Sequence, residues 1–159
     1  MDDRTFRTAM GKFATGVTIV TTKVGEDIHG MTANAFMSVS LDPKLILISI
    51  DEKATMKRYI DHSNQFAISI LNDQQKDMSA YFAGQKKEMK EVDFHWFNGM
   101  PTIDGALVKL TCDVDNSVVA GDHTLYIGKV TDVAITEGEP LAFFEGKYRK
   151  MEDYSNIKE

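Results

Sequence analysis

The stretch Leu45 to Ile50 reads LILISI, and only Ser49 in it is polar. Strand side chains alternate between two faces, so a strand of this composition is apolar on both and has to be covered on both. A barrel interior supplies one cover, and a helix or a second subunit supplies the other. Neighbouring segments carry the same β character. GVTIVTTKV, from Gly16, is rich in β-branched residues, and Gly25 to Asp27 offers a hairpin turn before a second strand over roughly His29 to Phe36. Pro43 ends the loop before the apolar run, and FAISIL (Phe66 to Leu71) is another strand. Further on, Val108, Leu110, Cys112 and Val114 alternate with Lys109, Thr111 and Asp113. TLYIGKVTDVAI continues as a long strand in which Gly128 marks a bulge or a close approach, and PLAFFEGKYRKM supplies the last strand.

Helical signals are few and short. Phe6, Met10 and Phe13 share one helical face behind Asp2 or Asp3 as cap. Ala54 to His62 fits a helix with Met56, Tyr59 and Ile60 inward. Asn72 and Gln75 have capping-box spacing before a helix carrying Met78, Tyr81 and Phe82 and stopping at Gly84. The connection from Gly84 to Gly105 exceeds a turn and suits a binding loop, a subunit contact or a solvated loop pinned by Trp96 and Phe97. The sum is a mainly β barrel with a few short helices. One domain is expected over residues 1–159, with about the last 10 residues a polar tail.

A net charge of −6 argues against a general nucleic-acid binder, though not against a local basic pocket. The single cysteine, Cys112, permits no internal disulfide, and acids stand where a signal peptide would be basic. No apolar run reaches transmembrane length, so a cytoplasmic protein is expected. There is no GxGxxG after a strand, no GxxxxGK[ST], no HExxH and no CxxC. His29, His62, His95 and His123 show no metal-ligand spacing, and no metal is expected. Cys112 lies in the apolar register of a strand, which suits an inert thiol better than a nucleophile.

Five blocks occur in order along nearly the whole chain: FRTAMGKFATGVTIVTT, GMTANAFMSVSLDP, FAISILNDQQKDMSAYFAG, GDHTLYIGKV and PLAFFEGKYR. Together they resemble the short-chain flavin reductase family, the reductase components of two-component flavin monooxygenases. The resemblance implies a split β-barrel that binds FMN or FAD and forms a homodimer. It implies an NAD(P)H-dependent flavin reductase, with NADH or NADPH as co-substrate and hydride passing from nicotinamide C4 to flavin N5. Reduced flavin or electrons would go on to a monooxygenase or another acceptor. A flavin-binding electron-transfer protein without NAD(P)H turnover is the alternative. The pyridoxamine-phosphate-oxidase-like branch of split barrels is disfavoured by the block order.

The residues suit that chemistry. Met31, Thr32, Ala33, Asn34 and Ala35 form the central cofactor-binding segment. Ala33 and Ala35 let a flat ring approach the backbone, while backbone N–H groups with the Thr32 and Asn34 side chains serve its polar edge. Ser38, Val39 and Ser40 resemble the family's ring and ribityl-phosphate segment. Lys53 and Thr55, at the start of a helix, are candidate phosphate ligands, because a helix N-terminus offers free donors and a favourable dipole. Here DEKATM departs from the family's small polar run, and Asp51 and Glu52 disfavour a phosphate unless they point away. Phe82, Ala83 and Gly84, with Tyr81, match the helix-ending segment on the phosphate or nucleotide side. His123 and Tyr148 match the family's nicotinamide-side positions and are the expected catalytic pair.

Overall fold

The computed structural model describes residues 1–85 and 92–156. Helix α1 (Asp3–Met10) starts as the sequence predicts: Asp2 is its N-cap, and its Oδ1 accepts the Thr5 amide at 2.7 Å. That backbone hydrogen bond holds the Asp2 carboxyl below its usual range. The apolar side of α1 finds no cover among the described residues, since Phe6, Met10 and Phe13 are all exposed. The periodicity therefore forecast the helix but not a partner for it.

Strands β1 (Thr15–Gly16) and β2 (Thr18–Val24) follow, and the chain turns at Gly25, φ 59, into β3 (Asp27–Ala33). The single strand expected from His29 to Phe36 is in fact two. β3 stops at Ala33, and β4 (Phe36–Leu41) starts after Asn34 and Ala35. The reason is topological: β3 pairs with β2, whereas β4 pairs with β5 (Lys44–Asp51), so Asn34 and Ala35 carry the chain between two edges. Next come α2 (Thr55–Ser63), β6 (Gln65–Ile70) and α3 (Lys76–Phe82). Asn64, at φ 56, ends α2 in the left-handed conformation. The capping-box residues close a turn ahead of α3 rather than capping it. Gln75 Oε1 accepts the Asn72 amide at 3.0 Å, and the helix begins only at Lys76.

Within the long connection, β7 (His95–Phe97) and β8 (Met100–Thr102) make a small hairpin, and residues 86–91 of that connection lie outside the described residues. Trp96 does not pin it inward: its ring is exposed, with the Lys23 ammonium 5.2 Å from the centroid. Two long strands, β9 (Val108–Ala120) and β10 (His123–Ile135), form the central hairpin. The expected last strand is a hairpin of β11 (Ala142–Phe144) and β12 (Lys147–Arg149). Its turn residues, Glu145 and Gly146, both have positive φ, the geometry that tight hairpins require.

The main sheet has seven strands in the order β3-β2-β6-β9-β10-β5-β4, each pair antiparallel. Its edges, β3 and β4, are not hydrogen-bonded to each other among the described residues, so the fold is mainly β and of split-barrel type. On β5 the inner residues Ile46, Ile48 and Ile50 are buried with Val20, Phe66, Ile68 and Tyr126, beneath Met56 and Ile60 of α2. Full burial of a side chain such as Ile48 or Phe66 contributes about 1.5–3 kcal/mol. The outer residues Leu45, Leu47 and Ser49 are only half-buried. A second cluster holds Val17, Ile19, Leu71, Ile103 and Leu141. Successive residues of β2, Ile19 and Val20, thus serve different cores, as strand alternation dictates. At Gly128 the register shifts, and a Cβ there would lie 2.5 Å from Phe66 Cζ. The bulge and the close approach are both real.

Candidate functional site

Where β3 gives way to β4, a cleft of about 180 Å³ opens against α3 and the β11–β12 hairpin. Thr32, Ala33 and Asn34 line one side, Ser79 and Ala83 the other, and Tyr148 closes the end. Its floor is held from below. Thr18 Oγ1 donates to the Ala33 carbonyl at 2.7 Å, and Thr32 Oγ1 donates to the Ser79 carbonyl at 2.6 Å. The Thr32 hydroxyl proton is therefore committed to α3, and what Thr32 offers a ligand is acceptor capacity. Asn34 and Ala35 are exposed, and the Ala35 carbonyl accepts the Ser49 amide at 3.2 Å. Tyr148 Oη and Ser79 Oγ are 2.8 Å apart, and the Tyr148 ring packs edge-on to Phe143 at 5.5 Å.

The Ala35–Ser49 bond fixes where the next polar feature stands. From Ser49, β5 runs to Asp51 and on to Lys53, four residues that span at most about 14 Å, and α2 begins two residues later at Thr55. No side chain caps α2, and its first turn holds no acid. The two acids that threatened an anion here are both engaged. Asp51 Oδ1 accepts the Lys53 amide at 2.8 Å, and the Glu52 carboxylate accepts the Thr124 hydroxyl. Lys53 and Thr55 are exposed at the mouth of the helix.

His123 begins β10 opposite Asp51, with its side chain 40% exposed and Nδ1 2.8 Å from Asp122 Oδ1. That hydrogen bond, with the His123 charge, holds the Asp122 carboxyl low, and Lys53 adds to the effect. His123 therefore belongs to the neighbourhood of Lys53, whereas Tyr148 belongs to the cleft beside Thr32 and Asn34. The other predicted residues divide similarly. Met31 packs against the first core, Ser38 and Val39 are exposed, and Ser40 is half-buried on edge strand β4. A register shift between Ser38 and Ser40 marks a bulge there. Phe82 and Gly84 face a second hollow with His29 and Phe94, next to Ala83 in the cleft. The Phe82 ring lies where a Gly30 side chain would be, 2.5 Å from its ideal Cβ position.

Sequence reasoning missed Ser79, Val17, Gln85 and Phe143 in the cleft lining. Ser79, 1% exposed, was the findable one: a small hydroxyl on the packing side of a helix otherwise read for its large residues. Nothing nucleophilic joins the set. Burial, with the Asp113 charge, pushes the Cys112 thiol up to about 12. No cluster able to hold a metal occurs among the described residues. The arrangement is one that binds, orients and donates hydrogen bonds.

The profile described as "Flavin reductase like domain" matches residues 10–152. The chain belongs to this family. Among curated members, the NADH-dependent flavin reductase of Rhodococcus sp is 49% identical over 149 residues, covering 92% of this chain and 85% of that protein. The reductase component of 4-hydroxyphenylacetate 3-monooxygenase from Thermus thermophilus is 35% identical over 147 residues, covering 92% and 95%. The solved structure of flavin reductase PheA2 in its native state superposes with a TM-score of 0.94 at 56% identity, covering 96% of this flavin reductase-family chain and all of that one.

Proposed function

We propose that this chain is an NADH-dependent flavin reductase, acting as a homodimer in the cytoplasm and passing reduced flavin to a flavin-dependent monooxygenase. The observation that carries the reading is the continuity from cleft to helix: Ala33–Asn34–Ala35 joins through Ser49 to the uncapped N-terminus of α2. That is the layout a flat ring, a polyol chain and a phosphate need. The residues fit a flavin: Ala33 and Ala35 leave room at the backbone, and Asp51 and Glu52 are turned to other partners. The same layout serves the phosphate of FMN or the first phosphate of FAD. The bound flavin supplies the acceptor atom, N5, for hydride from the nicotinamide.

This chain's own groups bind and orient. Asn34 and the backbone beside it hold the ring edge, and Lys53 with Thr55 neutralises the phosphate. Tyr148, braced by Ser79, walls the cleft where the nicotinamide enters, and His123 steadies the dinucleotide from the hairpin side. Relatives support the donor and the acceptor: they include the FMN reductase (NADH) SmoA and several monooxygenase reductase components.

Dimerisation is supported by the uncovered outer face of β5 and β10. Leu47, Leu125 and Ile127 are half-buried there, and Met37, Val39 and Leu41 are exposed along β4. A cleft of about 180 Å³ is also smaller than the roughly 300 Å³ at which ligand pockets usually begin. The functional unit runs over residues 1–159 as one domain. A single buried, free Cys112 suits a reducing compartment, and no helix among the described residues is long and apolar enough to cross a membrane.

The test is anaerobic stopped-flow mixing of NADH with flavin-loaded protein, followed at the flavin absorbance band. Rapid bleaching is expected. Bound flavin that stays oxidised through many seconds of excess NADH and NADPH would reduce the role to flavin carriage. Mass spectrometry of the released small molecule identifies the flavin.

A further inference from the structure

Two carboxylates stand immediately before α2, in a place where an anion is to be held, and the structure deals with them differently. Asp51 caps the backbone, accepting the Lys53 amide from two residues away. Glu52 reaches across to the neighbouring strand, where its Oε1 accepts the Thr124 hydroxyl. Thr124 is 3% exposed and faces inward on β10 opposite Ile50, so its hydroxyl is fixed in direction by the sheet. The Glu52 amide is anchored as well, donating to the Asp122 carbonyl at 2.9 Å. Around the captured carboxylate stand Lys57, which feels its charge, and Tyr126, whose hydroxyl donates to Asp61 at 2.6 Å. Lys57 is itself held by Asp61 at 2.6 Å, so this cation stays with the acid of its own helix.

We propose that Thr124 is a positioning residue of the anion site: by donating to Glu52 it draws that carboxylate onto β10 and keeps its charge off the N-terminus of α2. The inference rests on the phosphate reading of Lys53 and Thr55. Its physical content is simple. A helix N-terminus attracts an anion, and a free carboxylate two residues ahead of the N-cap competes for the same donors and repels the same ligand. Glu52 is harmless there only while it has a better partner. A charge-assisted hydrogen bond from a buried hydroxyl is such a partner.

The experiment compares FMN with riboflavin, which has the ring and the ribityl chain but no phosphate, by fluorescence titration of flavin-free protein. Thr124→Val keeps the shape and removes the donor; Thr124→Ala serves if the valine variant does not fold. We expect FMN affinity to fall by about tenfold while riboflavin affinity stays at the wild-type value. Thr124→Ser should bind FMN like wild type, and adding Glu52→Gln to Thr124→Val should restore FMN binding. Equal losses for both flavins, no loss at all, or a loss that Glu52→Gln leaves in place overturns the proposal and makes Thr124 a packing residue. Lys53→Glu separates this from the underlying reading. If that variant loses FMN selectively while Thr124→Val does not, only the role of Thr124 fails. If Lys53→Glu binds both flavins like wild type, the phosphate lies elsewhere and the proposal falls with it.

Discussion

The hydroxyls of Tyr148 and Ser79 lie 2.8 Å apart, tying the last hairpin to α3 across the mouth of the cleft. The tie makes two roles separable. Tyr148→Phe keeps the ring against Phe143 and loses one hydrogen bond, which should cost about 1 kcal/mol in urea unfolding and little in turnover. Tyr148→Ala removes the wall and should lower kcat/KM for NADH by about tenfold. Steady-state NADH oxidation of both variants checks the contrast, and equal kinetics for the two would remove Tyr148 from the nicotinamide side.

His123 sits apart from that wall, beside Asp122, whose carboxyl also feels the Lys53 charge. His123→Ala should reduce kcat/KM for NADH by about tenfold while flavin affinity stays unchanged. A fall in flavin affinity with unaltered NADH kinetics would reassign His123 to the phosphate end.

Leu125 faces outward on β10 opposite Ser49, on the face that β5 leaves half-covered. A lysine there should split the proposed dimer, because a desolvated ammonium without a partner is unfavourable in an apolar interface. Light scattering should drop from two copies to one copy of 17.8 kDa. A wild-type protein that is already monomeric ends this reading.

The legible part of the fold was the part written in side-chain alternation and backbone chemistry. LILISI is a strand with Ile46, Ile48 and Ile50 on its inner face, Asp2 caps α1, and Gly128 sits at a register shift. What escaped was set by pairing partners. Nothing local in HGMTANAF says that β3 must stop at Ala33, because the break arises from β4 joining a strand on the opposite edge. The tight turn at Glu145 was hidden for a related reason: the glycine was visible, but the three-residue strands around it were too short to show a period. In the site, small residues and helix starts were readable, and Ser79 showed only as a small hydroxyl in a helix, since its value comes from Thr32 and Tyr148 reaching it.

Gly128→Ala tests a tightly packed point in the barrel. A methyl group 2.5 Å from the Phe66 ring and 3.0 Å from Cys112 Cβ has to displace one of them. A loss of about 1–3 kcal/mol is expected by urea denaturation. An unchanged midpoint would show that Phe66 gives way freely.

Cys112 should be silent in the folded protein. With its thiol pushed up to about 12 by burial, the thiolate is scarce throughout the neutral range. Iodoacetamide near pH 8 should label it only after denaturant is added, read by intact mass. Labelling at the same rate in native buffer would mean that the strand around it opens readily.

Thr15 pairs with Phe143, and Leu141 donates its amide to Leu71. A ribosome therefore releases the first strand long before its neighbour exists. The seven-stranded sheet can assemble from residues up to Ile135, but the cluster around Val17 and Ile19 stays open on one side until the final hairpin arrives. A nascent or prematurely terminated chain would carry a nearly whole barrel with an apolar wound and no Tyr148. The β11–β12 hairpin both closes that cluster and furnishes a wall of the cleft, so the cleft cannot form until this hairpin has been made and docked.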